Sequence, residues 1–466
     1  MTQFYLMPHP PVMVPSVGEG REKEIQATID AAQYIKEKIA RSNIETIIVI
    51  TPHGPLFRDA IALMSTDKLS GDLAKFGVPQ ESLTFNVDVS LCDEILRTAE
   101  EYQSSFVGLT EESALRYRIV LELDHGAYVP LSFVADPSIH KIVHLTYGFM
   151  SPLALYEAGM VIKKAIMDTD TDVAVIASGD LSHCLTKDGP YPYHPSGANF
   201  DRTLMEVLKR GNFVELLNLP PKLISDAGEC GLRSLYILAG CMDGCKVSGN
   251  VLSYEGPFGV GYGVVEFHCK QGPSIYKELK DKRAQLHESR LNLKNPYTTL
   301  ARRNLDCFYQ QKRELEVTQD LPKELLEHRR GVFVSVKKDG QLRGCIGTFL
   351  PTTDCIAQEI INNSLSAALN DPRFPPVQPS ELNDLDISVD VLEAPEVCQK
   401  EDLDPRRYGV IVSKGYKRGL LLPMLEGIDT VEQQLQIALE KGDIDEFDNY
   451  VIERFEVTRY SEVDDE

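Results

Sequence analysis

One arrangement recurs along the N-terminal half of the chain: a run of apolar, often β-branched residues, then glycine or proline, then a histidine. The clearest example is the run 44–50, which is followed by Thr-Pro-His-Gly at residues 51–54. A near-continuous apolar run predicts a buried strand, and the proline and glycine predict its end. Because open α/β sheets place their sites at the carboxyl ends of their strands, the pattern predicts a functional site. The histidines in this setting are His9, His53, His125 and His183.

The residue types around these histidines suit a metal centre for oxygen chemistry. Non-haem Fe(II) sites of this kind bind the ion through two imidazoles and one anionic side chain on one face, and they leave the opposite face open. His9 and His53 are the candidate nitrogen ligands. The candidate anionic ligand is Glu229 or Cys230, at the start of a predicted helix.

The remaining histidines divide into two groups. His125 and His183 are predicted to stay uncoordinated and to act as acid–base and substrate-orienting groups, because a near-neutral pKa suits imidazole to that work. The alternative is that each is an ordinary loop histidine, but four such residues in one domain favour a site. His140, His144 and His268 lie inside predicted strands and are interpreted as structural.

Composition excludes several classes of function. A formal net charge of −22 argues against general affinity for nucleic acid or anionic membranes. No apolar stretch has the length of a membrane span, and the first residues lack the features of a secretion signal. Ten cysteines without a close CxxC pair suit a reducing cytoplasm better than a disulfide framework. We therefore expect a cytoplasmic protein.

The length of 466 residues predicts two or three domains. Residues 1–270 are predicted to form an α/β domain with a central mixed sheet and helices on both faces. Residues 271–289 are rich in Lys, Glu, Arg and Gln, which is typical of a charged linker or a solvated helix. Residues 290–466 are predicted to form a smaller α+β domain.

Local patterns predict individual elements. The N-terminal domain is predicted to contain a strand over 129–134, a mostly helical stretch over 71–105, and a helix over 227–241. In the C-terminal domain, the turn 338–340 between two β-rich runs predicts a hairpin.

The C-terminal domain carries a second candidate site in residues 342–348, Leu-Arg-Gly-Cys-Ile-Gly-Thr. Its glycines permit close approach of a ligand. Arg343 would stabilise a thiolate at Cys345 and make it a nucleophile. The alternative is that Cys345 is a small buried strand residue. Arg373 and Arg418 are candidates to join Arg343 in an anion-binding patch.

Residues 1–268 resemble the class III extradiol dioxygenases, the LigB-like group, and the related Memo proteins. The resemblance implies that His9 and His53 join a glutamate in binding Fe(II), that His183 is the acid–base catalyst, and that His125 lies beside it. It also implies a small aromatic, for example catecholic, substrate and O2. The motifs that carry the resemblance are residues 8–10, 51–54, 124–131, 178–183 and 227–231.

The third ligand is open within this resemblance. Memo proteins place a cysteine at the equivalent position, which would match Cys230, whereas a glutamate ligand would match Glu229. A thiolate would shift the metal preference towards softer ions such as zinc or copper and weaken the case for ring cleavage. We favour Glu229 slightly and keep Cys230 open.

Residues 290–462 resemble the AMMECR family, on residues 343–348, 371–376, 385–392 and 418–423. The two halves together resemble the AmmeMemoRadiSam system protein A fusions, a naming that implies a radical-SAM partner protein. This chain has no CxxxCxxC cluster motif. Any radical-SAM chemistry would therefore come from another polypeptide.

Overall fold

The structure is a computed structural model that describes residues 2–291, 295–338, 341–423, 428 and 430–462. It divides into two compact units, Met1–Asp281 and Lys282–Glu466. Within the described residues, no helix combines the length and apolar character needed to cross a bilayer.

The N-terminal unit alternates strands and helices. Its strands are β1 (Thr2–Met7), β2 (Thr46–Thr51), β3 (Ile61–Met64), β4 (Lys68–Leu73), β5 (Val78–Asn86), β6 (Phe106–Leu109), β7 (Lys141–Thr146), β8 (Val173–Ser178), β9 (Cys245–Glu255) and β10 (Tyr262–Gln271). Its helices are α1 (Pro15–Gly18), α2 (Gln26–Ala40), α3 (Val89–Glu101), α4 (Glu111–Tyr117), α5 (His125–Val134), α6 (Pro152–Thr169), α7 (Pro195–Arg210), α8 (Phe213–Leu216), α9 (Pro221–Ala227) and α10 (Leu232–Cys241). Helix α11 (Tyr276–Leu291) covers most of the charged stretch at the unit boundary.

Eight of these strands form one mixed sheet in the order β6-β3-β7-β2-β8-β1-β10-β9. The central strands β7, β2, β8 and β1 are parallel, whereas β10 and β9 add antiparallel pairings at one side. Every residue of β2 and of β8 is buried, as their apolar sequences require of strands covered on two faces. The predicted α/β fold with a central mixed sheet is confirmed.

Helix α6 packs against α3 and against α10, and α2 packs against α5. The contact of α6 with α10 depends on small residues. A Cβ atom at Gly159 would lie 2.0 Å from the carbonyl oxygen of Ile237, and one at Gly240 would lie 1.9 Å from that of Tyr156. The two backbones therefore approach as closely as glycine allows.

Three local predictions in this unit are wrong. Residues 129–134 lie in α5, because a short apolar run buried on all sides fits a helix as well as a strand, and Asp124 caps the helix start. Residues 71–105 are not mostly helical, since β4 and β5 pair as an antiparallel hairpin before α3. The predicted helix over 227–241 begins only at Leu232, after α9 has ended at Ala227.

The C-terminal unit is a seven-stranded antiparallel sheet with helices packed on it, which confirms the smaller α+β domain. The strands are β11 (Gly331–Lys338), β12 (Gln341–Thr348), β13 (Leu385–Leu392), β14 (Glu396–Val397), β15 (Tyr408–Lys414), β16 (Lys417–Leu421) and β17 (Val451–Ser461). The helices are α12 (Pro296–Gln311), α13 (Lys323–Glu327), α14 (Ile356–Leu369) and α15 (Val431–Gly442). The order is β12-β11-β13-β17-β15-β16, and β14 pairs with β17. Strands β11 and β12 pair as predicted, whereas residues 339–340 of the predicted turn lie outside the described residues.

A buried ion pair joins α12 to Glu462, the residue directly after β17. The Arg302 guanidinium donates two hydrogen bonds of 2.5 Å to the carboxylate of Glu462, and the two side chains are 2% and 0% exposed. Arg302 also donates to the carbonyl oxygens of Leu382 and Leu385. A buried pair with these additional hydrogen bonds is costly to break on one side only.

We predict that Arg302→Met lowers the free energy of unfolding of the C-terminal unit by about 3 to 5 kcal/mol, because Glu462 is left buried and unpaired. Calorimetry of the full chain measures this as an earlier transition of that unit. The control is Lys400→Met, whose partner Glu432 is exposed, so the loss should stay below about 1 kcal/mol. Equal losses for the two variants would contradict the prediction.

Candidate metal centre

Neighbouring parallel strands end at one level of the sheet and deliver the candidate ligands. In the pairing of β1 with β8, Met7 lies opposite Ser178, and in the pairing of β2 with β8, Ile50 lies opposite Ala177. His9 follows the end of β1 by two residues, and His53 follows the end of β2 by two residues. The register of the sheet therefore brings these histidines to the same edge.

His9, His53 and His125 form a cluster. The Nε2 atoms of His9 and His53 are 3.0 Å apart, and one ring nitrogen from each of the three histidines lies within 4.8 Å of the others. The rings of His53 and His125 stack with centroids 4.2 Å apart. His9 is buried, His125 is half-buried and His53 is exposed, so the cluster opens towards solvent at His53.

The separation of His9 and His53 fits two ligands of one ion. Two nitrogens bound at about 2.1 Å lie about 3.0 Å apart at a right angle and about 3.4 Å apart at the tetrahedral angle. The observed 3.0 Å between the two Nε2 atoms matches the first value. The donor set, neutral nitrogen atoms facing one point, is therefore compatible with a transition-metal ion.

Ser178 determines which nitrogen of His9 carries the proton. The single hydroxyl proton of Ser178 is donated to the carbonyl oxygen of Gly126, so Ser178 Oγ can only accept at its contact with His9 Nδ1, 2.9 Å away. Nδ1 of His9 is therefore the protonated nitrogen. Its Nε2 presents a lone pair to the cluster, as a metal ligand must.

His125 comes from a helix rather than from a strand end. It is the first residue of α5, and the side chain of Asp124 caps that helix by accepting from Ala127 N–H at 3.2 Å. Burial opposes ionisation of Asp124, but its hydrogen bond with His144 holds the pKa of that carboxyl below its usual range. The ring of Phe76, from the loop between β4 and β5, packs against His125 with centroids 5.3 Å apart.

Of the two candidates for the anionic ligand, Cys230 is the one that contacts a histidine of the cluster, His9. Cys230 Sγ lies 3.6 Å from His9 Nε2 and accepts a hydrogen bond from the backbone N–H of Asp180 at 3.3 Å. A sulfur and a nitrogen on one tetrahedral zinc ion lie about 3.6 Å apart. The carboxylate of Glu229 instead accepts from Leu232 N–H at 2.6 Å, at the start of α10.

Two glycines hold Cys230 in this place. A Cβ atom at Gly179 would lie 2.0 Å from the Cα atom of Gly231. The backbones at the end of β8 and the start of α10 therefore touch, and Cys230 N–H and Gly231 N–H both point to the carbonyl oxygen of Asp180. This contact explains the glycines of the sequence motifs around Asp180 and Cys230.

Electrostatics keep the imidazoles neutral. Burial, together with neighbouring histidines, lowers the pKa of His9 to about 3 and the pKa of His125 to about 3. Neutral rings are the form that binds metal. Burial raises the pKa of the Cys230 thiol well above its usual value, and Asp180 and Glu229 raise it further. A cation at the cluster would be needed to stabilise the thiolate there.

His183 lies in the loop after β8, near the cluster. Its backbone N–H donates to the carbonyl oxygen of Ala227, and its ring stacks on Tyr191 with centroids 5.0 Å apart. Burial lowers the pKa of His183, so this ring is also neutral at pH 7. A neutral imidazole can accept a proton.

A cavity of about 510 Å³ adjoins this loop, with a wall of four prolines and several apolar side chains. Pro10, which follows His9, and Thr186, three residues after His183, both line it. Its charged lining residues are Arg21 and Asp188. A space of this size is large enough for a small aromatic molecule.

The C-terminal candidates have local partners. Arg343 donates to Glu381 and to the carbonyl oxygens of Pro375 and Pro376. Arg373 donates to Asp371, which accepts the backbone N–H of Cys345.

Arg418 pairs with Glu453. These contacts occupy the guanidinium groups that the anion-patch hypothesis requires, and the half-buried Cys345 is placed in β12.

Sequence reasoning missed three polar residues that organise the centre: Ser178, Asp180 and Asp124 all lay in quoted motifs without an assigned role. Asp180 Oδ1 accepts the backbone N–H of His9 at 2.9 Å. Burial raises the pKa of Asp180 to about 6. Ser178 is the last residue of β8, Asp180 follows two residues later, and Asp124 directly precedes α5. A polar residue at the end of a strand or the start of a helix is the signal that would have identified them.

Comparisons with known proteins agree with this architecture. A profile of the family described as the catalytic LigB subunit of aromatic ring-opening dioxygenase matches residues 3–265, and the AMMECR1 profile matches residues 298–463. A protein of Clostridium acetobutylicum is 46% identical over 462 residues, which cover 98% of this chain and 99% of that protein. A protein of Thermotoga maritima is 50% identical over 169 residues, which cover 36% of this chain and 97% of that protein.

Two crystal structures are also similar. An uncharacterized protein from Pyrococcus horikoshii is 29% identical, with a TM-score of 0.32, and the match covers 38% of this chain and 91% of that one. An uncharacterized protein from Escherichia coli K12 is 13% identical, with a TM-score of 0.40, over 57% of this chain and 99% of that one.

We predict that Cys230→Ser weakens zinc binding by the full chain, because a serine hydroxyl stays protonated and replaces the sulfur ligand. The loss should exceed the roughly 10- to 100-fold that removal of an outer hydrogen-bond partner of a metal ligand costs. Glu229→Gln should leave affinity unchanged, since its amide oxygen still accepts from Leu232 N–H. Competition titration with a chromophoric chelator measures both. If Glu229→Gln binds zinc weakly and Cys230→Ser binds it as tightly as the unsubstituted chain, the third ligand is Glu229 and not Cys230.

Proposed function

This chain belongs to the LigB family, and on that premise we propose that its N-terminal unit is a metal-dependent oxidoreductase of the ring-opening dioxygenase type, acting on a small aromatic diol. One observation supports this most directly: the Nε2 atoms of His9 and His53 face each other at 3.0 Å at the carboxyl edge of the sheet. Two neutral imidazoles at that spacing are two of the three protein ligands that Fe(II) uses in oxygen chemistry.

The protein's own residues would bind and orient the substrate. Fe(II) held there would supply the activation of O2 and of the diol. The cavity beside Pro10 and Thr186, whose wall combines prolines with Arg21 and Asp188, would receive the aromatic ring. His183 would accept the proton of a substrate hydroxyl, because its burial keeps the imidazole neutral, and the face of Tyr191 would hold its ring in place.

His125 would act from the other side of the cluster. Its ring is held between His53 and Phe76. From that position a ring nitrogen of His125 would donate or accept a hydrogen bond with an oxygen of the substrate. The carboxylate of Asp124 fixes the helix start from which His125 projects.

A second candidate function is favoured by Cys230. Its sulfur, 3.6 Å from His9 Nε2 and hydrogen-bonded by Asp180 N–H, would make a thiolate ligand. Such a ligand set favours softer ions, zinc or copper, over Fe(II). The centre would then be Memo-like, with a redox or binding role and without ring cleavage.

We also propose that the fusion works with a radical-SAM protein. The AMMECR1 domain and the LigB domain are joined in one chain, and the chain carries no CxxxCxxC motif. A partner would have to supply the iron–sulfur cluster.

Oxygen consumption tests the dioxygenase proposal. We predict that the full chain, loaded anaerobically with Fe(II), consumes one O2 per molecule of a catechol and gives a ring-opened product with a new visible absorption. His183→Gln should lower kcat by about 10²- to 10⁴-fold, the usual contribution of a positioned acid–base group, while iron content stays unchanged.

The control is His194→Gln. His194 lies in the same segment and accepts from Ser196 N–H at the start of α7, and glutamine can also cap a helix there. It should keep full activity. Absence of oxygen uptake across a panel of catechols by iron-loaded protein, together with tight zinc or copper binding, would replace the dioxygenase proposal by the Memo-like one.

A further inference from the structure

His144 is a buried histidine whose place in the fold calls for an explanation. It lies within β7, between Val143 and Leu145, and is 0% exposed. Its Nε2 is 2.8 Å from Asp124 Oδ2, and its Nδ1 has no hydrogen-bond partner within the described residues. Burying such a pair is weak evidence for stability, because an apolar side chain in the strand would avoid the desolvation cost.

The carboxylate that His144 contacts connects the two loops of the metal centre. Asp124 Oδ1 accepts the hydroxyl of Thr51 at 2.7 Å and Ala127 N–H at 3.2 Å. Thr51 Oγ1 in turn accepts the backbone N–H of His53 at 3.3 Å. Since Asp124 immediately precedes His125, one carboxylate fixes the backbone at both histidines.

The glycines next to His53 and His125 pack closely against this network. A Cβ atom at Gly126 would lie 2.3 Å from Thr51 Oγ1 and 2.9 Å from Asp124 Oδ1. One at Gly54 would lie 2.1 Å from Thr146 Oγ1 and 3.3 Å from Asp124 Oδ2. The glycines beside His53 and His125 are therefore the residues that let both loops close onto the carboxylate.

We propose that His144 and Asp124 form a positioning pair that sets the spacing between His53 and His125. The inference rests on the proposed metal centre for its consequence and on the hydrogen bonds above for its geometry. Asp124 already uses Oδ1 for Thr51 and Ala127, and the bond from His144 to Oδ2 fixes the rotation of the carboxylate about its last torsion. Without His144 the carboxylate is free to turn, and the two loops lose their common anchor.

Four variants of the full chain test the pair. His144→Leu fills the space but removes the donor, whereas His144→Gln keeps an N–H at similar reach. Thr51→Val removes the hydroxyl at the other end of the network and keeps the shape. His140→Leu is the matched control, because His140 is also buried, four residues earlier, but among the described residues its Nδ1 accepts only the backbone N–H of Asp136.

The first readout is binding of Co(II), followed by competition titration and by its visible absorption. We expect His144→Leu and Thr51→Val each to weaken binding about 10- to 100-fold, the usual cost of losing an outer partner of a metal site. The double variant with His144→Leu and Thr51→Val should weaken Co(II) binding by less than the product of the two single fold-changes, because both residues act through Asp124. His144→Gln should keep most of the Co(II) affinity that His144→Leu loses. His140→Leu should lower thermal stability but leave the Co(II) affinity unchanged.

The second readout needs no metal. In the metal-free chain with 15N-labelled histidine, His144→Leu should move the ring resonances of His53 and His125, and His140→Leu should leave them unmoved. The positioning role would be overturned if His144→Leu and His140→Leu had equal effects on the ring resonances of His53 and His125 and on the Co(II) affinity. If the unsubstituted chain binds no Co(II), the metal proposal fails, and the ring resonances alone then decide for or against the pair.

Discussion

A neutral imidazole can present only one lone pair, and the candidate metal centre depends on which nitrogen of His9 carries it. Ser178 makes that choice, because its only proton is donated to the carbonyl oxygen of Gly126 and its oxygen must therefore accept from His9 Nδ1. Ser178 is the last residue of β8, and Gly126 lies in the first turn of α5. One hydroxyl thus couples the strand that leads to His183, the strand that leads to His9, and the helix that carries His125.

The same logic extends through the rest of the site, which is assembled from backbone contacts more than from the ligands' own side chains. Asp180 offers its N–H to Cys230 and its carboxylate to the backbone of His9. Glycines allow the close approach of segments at Gly54, at Gly126 and at Gly179, whose added Cβ atom would lie 2.0 Å from the Cα atom of Gly231. His9 and His53 follow strands of the sheet, His125 begins α5, and Cys230 directly precedes the start of α10. Attachment to such elements is the condition for a precise metal site.

Much of this could be predicted from the sequence, and the failures have physical causes. The strands β2 and β8 are fully buried, so their apolar runs predict them from the sequence. The turn residues after these strands mark His53 and His183 as residues at strand ends. The LigB and AMMECR resemblances, carried by ordered motifs, are confirmed by the family matches. Helix α5 was mistaken for a strand because its apolar run has no polar face to show a period of 3.6 residues.

Other features were beyond the sequence. Glu229 and Cys230 are adjacent, and only the start of α10 decides which one faces His9. His144 was interpreted as structural because a strand histidine gives no sign of its partner twenty residues earlier in the chain. In the C-terminal unit, the arginines that suggested an anion patch are held by carboxylates and carbonyl oxygens brought together only by the fold.

X-ray absorption at the zinc edge of the zinc-loaded full chain tests the claim that His9 and His53 bind one ion and that Cys230, which contacts His9, supplies its sulfur ligand. The account predicts nitrogen neighbours at about 2.0 to 2.1 Å and one sulfur neighbour at about 2.3 Å. A shell of light atoms alone, with the sulfur missing, would contradict it.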